Sequence, residues 1–298
     1  MTGRPGQAGR TLTAIAMMCT AVLCFVILDS VAKHLSASHP VAMIVWGRFA
    51  VHLLALSMLA PLLGGRRLVA TRRPWLQIGR GGLLVVATGS IFLAVKYLPL
   101  TQVYAISFTS PLFVALLAGA LLGERVGLLR WLAIGGGFVG VLVVIRPDLE
   151  MHWAVVLPVV MALAWALYQI ATRALAATDA APTTLFFTGL FGVAVLTPAA
   201  PLFWSDLSVF EWTLLGAAGL TALGGHLLLI RAYAMAPAAV LAPFVYVQIV
   251  WAAIIGWMVF GEVPDGATLA GGAMVIASGL VVLRSGTTEP SGAERPSR

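Results

Sequence analysis

Apolar stretches of about 20 residues follow one another along this chain, separated only by short clusters of charge, proline and glycine. A helix needs about that length to cross roughly 30 Å of hydrocarbon. Backbone polar groups inside a bilayer must be satisfied within the protein, which leaves helices and closed barrels. Barrel strands would alternate in polarity over roughly ten residues, and "GGFVGVLVVI" and "MVIASGLVVL" do not alternate. Breaking the sequence at its polar clusters predicts ten spans, at 11–34, 41–63, 76–97, 100–122, 128–146, 153–175, 182–203, 211–234, 238–260 and 266–284. No loop between them is long enough to fold separately. The expected fold class is an all-α integral membrane protein of ten transmembrane helices.

Composition agrees, with 60% hydrophobic and 10% charged residues. Soluble domains carry about 25% charged residues, so there is too little polar surface here to coat a globule. The first apolar run exceeds the short core of a cleaved signal peptide and reads as a first span. A sequence pI near 10.1 raises the question of nucleic acid, but the basic residues are scattered over short loops. Basic loop residues set orientation. With the N-terminus inside, thirteen fall on cytoplasmic segments and only Lys33, Lys96 and Arg146 outside. Both termini are therefore expected in the cytoplasm, the bilayer accounts for the charge, and no nucleic-acid partner is needed. Residues 1–10 and 285–298, rich in Gly, Pro and Ser, are expected to be disordered tails.

The sequence also repeats. At an offset of 138 residues, Pro99 matches Pro237, Gly123-Glu124 matches Gly261-Glu262, and Arg146 matches Arg284. "VAKHL" at 31–35 is similar to "ATRAL" at 171–175. The chain reads as two five-helix repeats, 11–146 and 153–284. Five is odd, so the second copy is expected to enter the membrane upside down. Inverted repeats of this kind belong to secondary transporters, with the substrate site near mid-membrane at the repeat interface.

The segment "YLPLTQVYAISFTSPLFVALLAGALLGERV" (97–126) and its counterpart "APAAVLAPFVYVQIVWAAIIGWMVFGEVPD" (236–265) resemble the EamA-type branch of the drug/metabolite transporter superfamily. The resemblance covers about residues 11–284. It implies a ten-helix bundle working by alternating access on small organic metabolites. That family includes amino-acid and metabolite exporters, riboflavin importers and S-adenosylmethionine carriers, so the substrate does not follow from it.

Ionisable side chains at membrane depth mark function by default. Asp29 is the only acid clearly inside a span, with Lys33 four residues on; acid-before-Lys at that spacing favours a pair. Asp29 thus reads either as half of an ion pair with Lys33 or as a proton-coupling or substrate-amine site. Arg48 lies about eight residues into its span, roughly 12 Å deep at 1.5 Å per residue. It is expected to pair with Asp29, a substrate carboxylate or backbone carbonyls. His52, one turn on, reads as a satisfied interior histidine, and Arg80 as a snorkelling residue at its span's start. Gln169, His226 and Gln248 are expected to line a central site, where Tyr104, Trp165 and Trp251 stack on the ligand. Glu124 and Glu262 each close a span at its C-terminal end, where a carboxylate opposes the helix dipole, so each needs a local partner. With Lys33 they form the expected gate or structural set. Gly136 and Gly140 at GxxxG spacing suit close helix packing or a homodimer surface.

No Lys follows a Gly, so the chain lacks a GxxxxGK[ST] phosphate loop. The five histidines have no metal-ligand spacing, and one buried acid does not supply the paired groups of acid–base chemistry. The expected function is therefore secondary transport of a small organic metabolite across the bacterial inner membrane, without a cofactor or metal. The coupling ion is a proton or another ion, and the cargo is flavin-like or amino-acid-like. The alternatives are export of amino-acid-derived metabolites or metallophores, and then a channel or a membrane enzyme.

Overall fold

A computed structural model of the chain describes residues 5–61, 65–122, 128–146, 152–176, 178–236 and 238–285. Among them the structure is helical, without strands. The α-helices are α1 (Pro5–Ser36), α2 (Val41–Met58), α3 (Pro74–Tyr97), α4 (Leu100–Ser107), α5 (Ser110–Leu122), α6 (Leu128–Ile145) and α7 (Val156–Ala176). They continue as α8 (Ala181–Leu196), α9 (Ala200–Phe203), α10 (Val209–Met235), α11 (Ala238–Val245), α12 (Val247–Phe260) and α13 (Gly266–Ser285). Six helical segments are long and apolar enough to cross a membrane: Gly9–Ser36, Val41–Met58, Pro74–Tyr97, Trp153–Leu175, Ala181–Phe203 and Val209–Met235. Leu100–Val114, Trp131–Ile145, Val247–Phe260 and Gly266–Val282 are shorter apolar helices.

Two predicted spans are interrupted. Between 100 and 122 the helix stops at Ser107 and restarts at Ser110; between 238 and 260 it stops at Val245 and restarts at Val247. Phe108 sits in the first break and Tyr246 in the second, 138 positions apart. Their rings meet edge to face with centroids 5.0 Å apart. A broken helix frees carbonyls that lipid cannot satisfy. Beside the first break, Ser107 Oγ donates back to the Val103 carbonyl within α4 at 2.8 Å, and Thr109 donates to the Ile106 carbonyl through both its Oγ1, at 2.8 Å, and its N–H, at 3.1 Å. Pro111 then opens α5, where its missing N–H costs nothing.

The principal helix partnerships run between the N-terminal and C-terminal parts of the chain. α1 lies along α10, α3 along α7, α2 against α8 and α10, α4 against α12, and α6 along α13. At the last of these the backbones nearly touch. A Cβ on Gly140 would stand 2.8 Å from the Gly271 carbonyl, and one on Gly271 would stand 3.0 Å from the Val144 amide. The neighbouring Gly136 faces Ser278. The GxxxG face is thus used inside the chain, by α13. Tyr246 is pinned against the same helix, its hydroxyl filling the space where a side chain on Gly279 would begin.

Tyr104, Phe49 and Phe92 are among the largest fully buried side chains, while Leu54, Leu128, Leu142, Leu202 and Val250 face outward. Apolar groups on both the inside and the outside are what a hydrocarbon solvent permits. Gly271→Val is expected to lower folded yield and shift thermal unfolding in detergent by the equivalent of about 1–3 kcal/mol, an overpacking cost. Size-exclusion profiles and scanning fluorimetry measure it, and an unshifted midpoint would mean that α6 and α13 separate freely.

Candidate functional site

Polar side chains gather in the core where α1, α2, α3, α4, α7, α10 and α12 converge. Asp29 on α1 is 4% exposed and accepts a hydrogen bond from the Tyr104 hydroxyl of α4. The Gln248 side chain of α12 interacts with the same hydroxyl. On α2, Arg48 is also 4% exposed. Its Nη1 donates to the Thr88 hydroxyl of α3, and its guanidinium lies 4.8 Å from the Phe49 ring centroid. Arg48 feels the charge of Asp29, yet the described residues hold no direct ion pair between them. His52, one turn further along α2, is turned toward the Leu185 carbonyl.

The C-terminal half closes round the same centre. His226 of α10 has the Phe25 ring at 5.0 Å and the Trp165 ring at 6.4 Å. Trp165 stacks on Tyr168 at 4.9 Å. His52 and His226 lie within electrostatic reach of each other and of both Arg48 and Arg80. Sequence reasoning therefore finds a set that the fold brings together: Asp29, Arg48, Tyr104, Trp165, His226 and Gln248. Gln169 stands apart, largely exposed, with its amide 3.4 Å from the Ser110 hydroxyl. Trp251 is half-buried between two apolar clusters, its Nε1 without a partner.

Two expectations are corrected here. Arg80 does not snorkel; it is 2% exposed. Its Nε donates to Thr172 at 2.6 Å and its Nη1 to the Thr184 carbonyl at 3.1 Å and Thr188 at 2.6 Å. Its Nη2 donates to the Tyr168 hydroxyl, whose ring also lies under the guanidinium at 4.2 Å. The planar five-donor fork finds oxygens on α7 and α8, so the charge need not reach water. Nor is His52 satisfied: its Nε2 is buried without a partner. The signal for Arg80 lay in Thr184 and Thr188, one turn apart on an otherwise apolar span.

The expected Asp29–Lys33 pair does not form either. Lys33 points to the end of α1, where its Nζ meets Glu262 Oε1 at 2.6 Å. It also donates to the Val95 and Leu98 carbonyls, each at 2.8 Å. Those carbonyls close α3 and lack helical partners, which draws the ammonium away from Asp29. The other oxygen of Glu262 accepts the Leu100 amide, at the start of α4, at 3.0 Å. Gly261 makes this geometry reachable: α12 ends there in a left-handed turn, φ 68°, that glycine adopts without strain. Glu262 thus has the partner its helix end demanded. Glu124 lies outside the described residues. At the same end, His39 Nε2 meets Glu211 at 2.7 Å and Arg146 meets Asp265 at 2.9 Å. All three ion pairs among the described residues join the N-terminal part of the chain to the C-terminal part.

At the opposite end, Asp179, between α7 and α8, accepts from the Thr71 hydroxyl, from the Arg72 amide at 3.1 Å and from the Gln77 amide at 2.9 Å. Burial works against its charge, but these donors outweigh it and hold the carboxyl below the usual range.

Fold and site together define a helical membrane protein that carries a polar, cationic centre inside an apolar bundle. The EamA-like transporter family model matches residues 12–146 and 152–284, and the chain belongs to that family, whose members here are transporters rather than enzymes. It is 30% identical to an S-adenosylmethionine uptake transporter of Rickettsia bellii, over 74% of this chain and 76% of that one. It is 30% identical to a riboflavin transporter of Vibrio cholerae, over 88% and 89%. It is 31% identical to a pseudopaline exporter of Pseudomonas aeruginosa, over 88% and 92%. A crystal structure of a protein 17% identical in sequence superposes on 96% of this chain and 100% of its own with a TM-score of 0.59, a likeness of fold.

Arg80→Lys is expected to cost about 2–4 kcal/mol, because a point ammonium replaces several charge-assisted bonds of the fork. The midpoint of thermal unfolding in detergent reads this loss; an unchanged midpoint would make the Arg80 network incidental. Because the folded-state pKa of Asp179 is depressed, its contribution is present above the unfolded value and lost as pH falls through the folded one. Stability measured against pH on the acid side should fall more steeply for the native chain than for Asp179→Asn. Parallel curves would contradict the assignment.

Proposed function

We propose that the chain is a secondary carrier of the bacterial inner membrane, with both termini in the cytoplasm, that moves a small organic metabolite by alternating access. The observation that carries this reading is the paired interruption at Phe108 and Tyr246, equivalent positions of two halves whose rings touch at the core. Discontinuous helices meeting near mid-membrane are where secondary transporters place their sites. The packing adds support. If the two halves are equivalent helix by helix, α1 against α10 and α3 against α7 are the same contact made twice. The partnerships of α2 with α8 and α6 with α13 then pair each helix with its own counterpart, and α1 with α12 answers α7 with α5. Exchange of the halves leaves that pattern unchanged, as a pseudo-two-fold axis in the membrane plane requires.

In this reading the substrate sits beside Asp29, Arg48, Tyr104, His226 and Gln248, flanked by Trp165. Gln169 and Trp251 line its approaches. The Lys33–Glu262 clasp closes one end: a single ion pair ties the ends of α1, α3 and α12 to the start of α4, so opening that end must break it. The relatives divide between uptake and export, which one reversible architecture permits, and their riboflavin, S-adenosylmethionine and pseudopaline bracket the cargo as small polar metabolites. A proton serves as the coupling ion, with Asp29 as its acceptor.

Counterflow in proteoliposomes, with these three compounds and a panel of amino acids, tests the reading. Saturable exchange of one of them without ATP is expected. Flux that never saturates would indicate a channel, and chemical conversion of the substrate an enzyme. Lys33→Met and Glu262→Gln should each slow exchange by about tenfold or more, the equivalent of about 1.4 kcal/mol on the step that recloses this end. The charge-swapped double variant should not recover, because it aims an acid at the Val95 and Leu98 carbonyls and a lysine at the Leu100 amide. Recovery in the swap would reduce the clasp to a simple ion pair.

A further inference from the structure

Among the described residues, five buried side-chain polar atoms have no hydrogen-bond partner, and two of them, Arg48 Nε and His52 Nε2, stand together on α2. Their residues are 4% and 2% exposed, one turn apart on α2. Buried polar atoms are almost always bonded, and an orphan calls for a physical reason. Charge makes the case stronger. The core holds two guanidinium groups, Arg48 and Arg80, against one carboxylate, Asp29. Arg80 is surrounded by neutral oxygens that satisfy it. Asp29 is engaged by Tyr104. The centre therefore carries one positive charge in excess, and of the two arginines it is Arg48, with one flank covered by Phe49 and its Nη1 taken by Thr88, that keeps a buried N–H unbonded. Its Nε edge is buried and unbonded.

The geometry points to a carboxylate ligand at that edge, one that carries a neutral O–H or N–H donor beside the carboxylate. The planar Nε edge of a guanidinium matches two carboxylate oxygens. Such an anion would cancel the excess charge that burial in a membrane makes costly. The second feature follows from His52. Its ring faces the Leu185 carbonyl, a partner suited to an Nδ1–H, and in that tautomer Nε2 is a lone-pair acceptor one helical turn from Arg48. The ligand class is the small 2-hydroxy or N-acylamino carboxylates. Trp165 and Tyr168, stacked nearby, suit an aromatic body. This assignment rests on the carrier reading and names the substrate class of the same site.

The test uses purified full-length protein in detergent and three probes of one shape: mandelate, with carboxylate and hydroxyl; phenylacetate, with carboxylate alone; and mandelamide, with hydroxyl and no charge. Thermal shift and tryptophan fluorescence should rank them mandelate, then phenylacetate, then mandelamide, the first binding at least about tenfold tighter than the last. Arg48→Gln should abolish the preference for the two acids while raising the unliganded unfolding midpoint, since it removes an uncompensated buried charge; a purely structural arginine would lower it. His52→Phe should erase only the gap between mandelate and phenylacetate. Equal binding of all three probes, an unchanged ranking in Arg48→Gln, or stabilisation by phosphatidylglycerol in place of the acids would overturn the assignment. If Arg48→Gln yields no folded protein, the native ranking decides alone. Counterflow separates the two levels: saturable exchange of a neutral or cationic compound sinks the anion assignment and leaves the carrier standing, whereas absence of any exchange sinks the carrier.

Discussion

Water is absent from the interior of a bilayer, so every buried polar group in this chain must find its partner inside the bundle. That single constraint organises the structure. It turns Arg80 inward onto Thr172, Thr184, Thr188 and Tyr168, and sends Lys33 to the exposed carbonyls at the end of α3 and to Glu262. It turns the Ser107 and Thr109 hydroxyls beside the first helix break back onto the Val103 and Ile106 carbonyls. Most of these bonds reach from one half of the chain to the other. Polar satisfaction and the joining of the halves are therefore the same event, since apolar contact alone gives two helices little reason to prefer each other over lipid.

The same constraint separates function from scaffold. Where partners are complete, as at Arg80, the charge is structural. Where they are incomplete, as at Arg48 Nε and His52 Nε2, the packing alone does not account for the polar group, which is why the proposed ligand is placed there. The Lys33–Glu262 clasp is intermediate. It is complete in this conformation, but it spans four helix ends, so any motion that opens that end must take it apart.

Much of this was legible in the sequence, and the reasons are local. Helix content and the membrane environment followed from apolar runs and low charge. The centre followed from the rarity of ionisable residues at depth, which picked out Asp29 and Arg48 without any knowledge of packing. Partners were harder. An i,i+4 rule written for helices in water paired Asp29 with Lys33, but unsatisfied carbonyls at the end of α3, remote in sequence, outbid it. Arg80 was read by its depth alone, because nothing local shows that threonines of α7 and α8 stand opposite. The interruptions at Phe108 and Tyr246 were missed for a similar reason: both lie within predominantly apolar runs long enough to span, and neither is marked by a charge or by a glycine. The Gly-Glu repeat was visible, and its use at Gly261-Glu262 follows from backbone geometry once the left-handed turn is seen.

Alternation of the two ends around a fixed centre is the claim on which the account stands, and paired distance measurements address it directly. Spin labels at Ser38 and Ser208 report the end held by Lys33 and Glu262; labels at Ala70 and Thr178 report the end held by Asp179. In lipid nanodiscs, Glu262→Gln should lengthen the first distance and shorten the second within the same population. Distances that stay fixed, or that lengthen together, would contradict it.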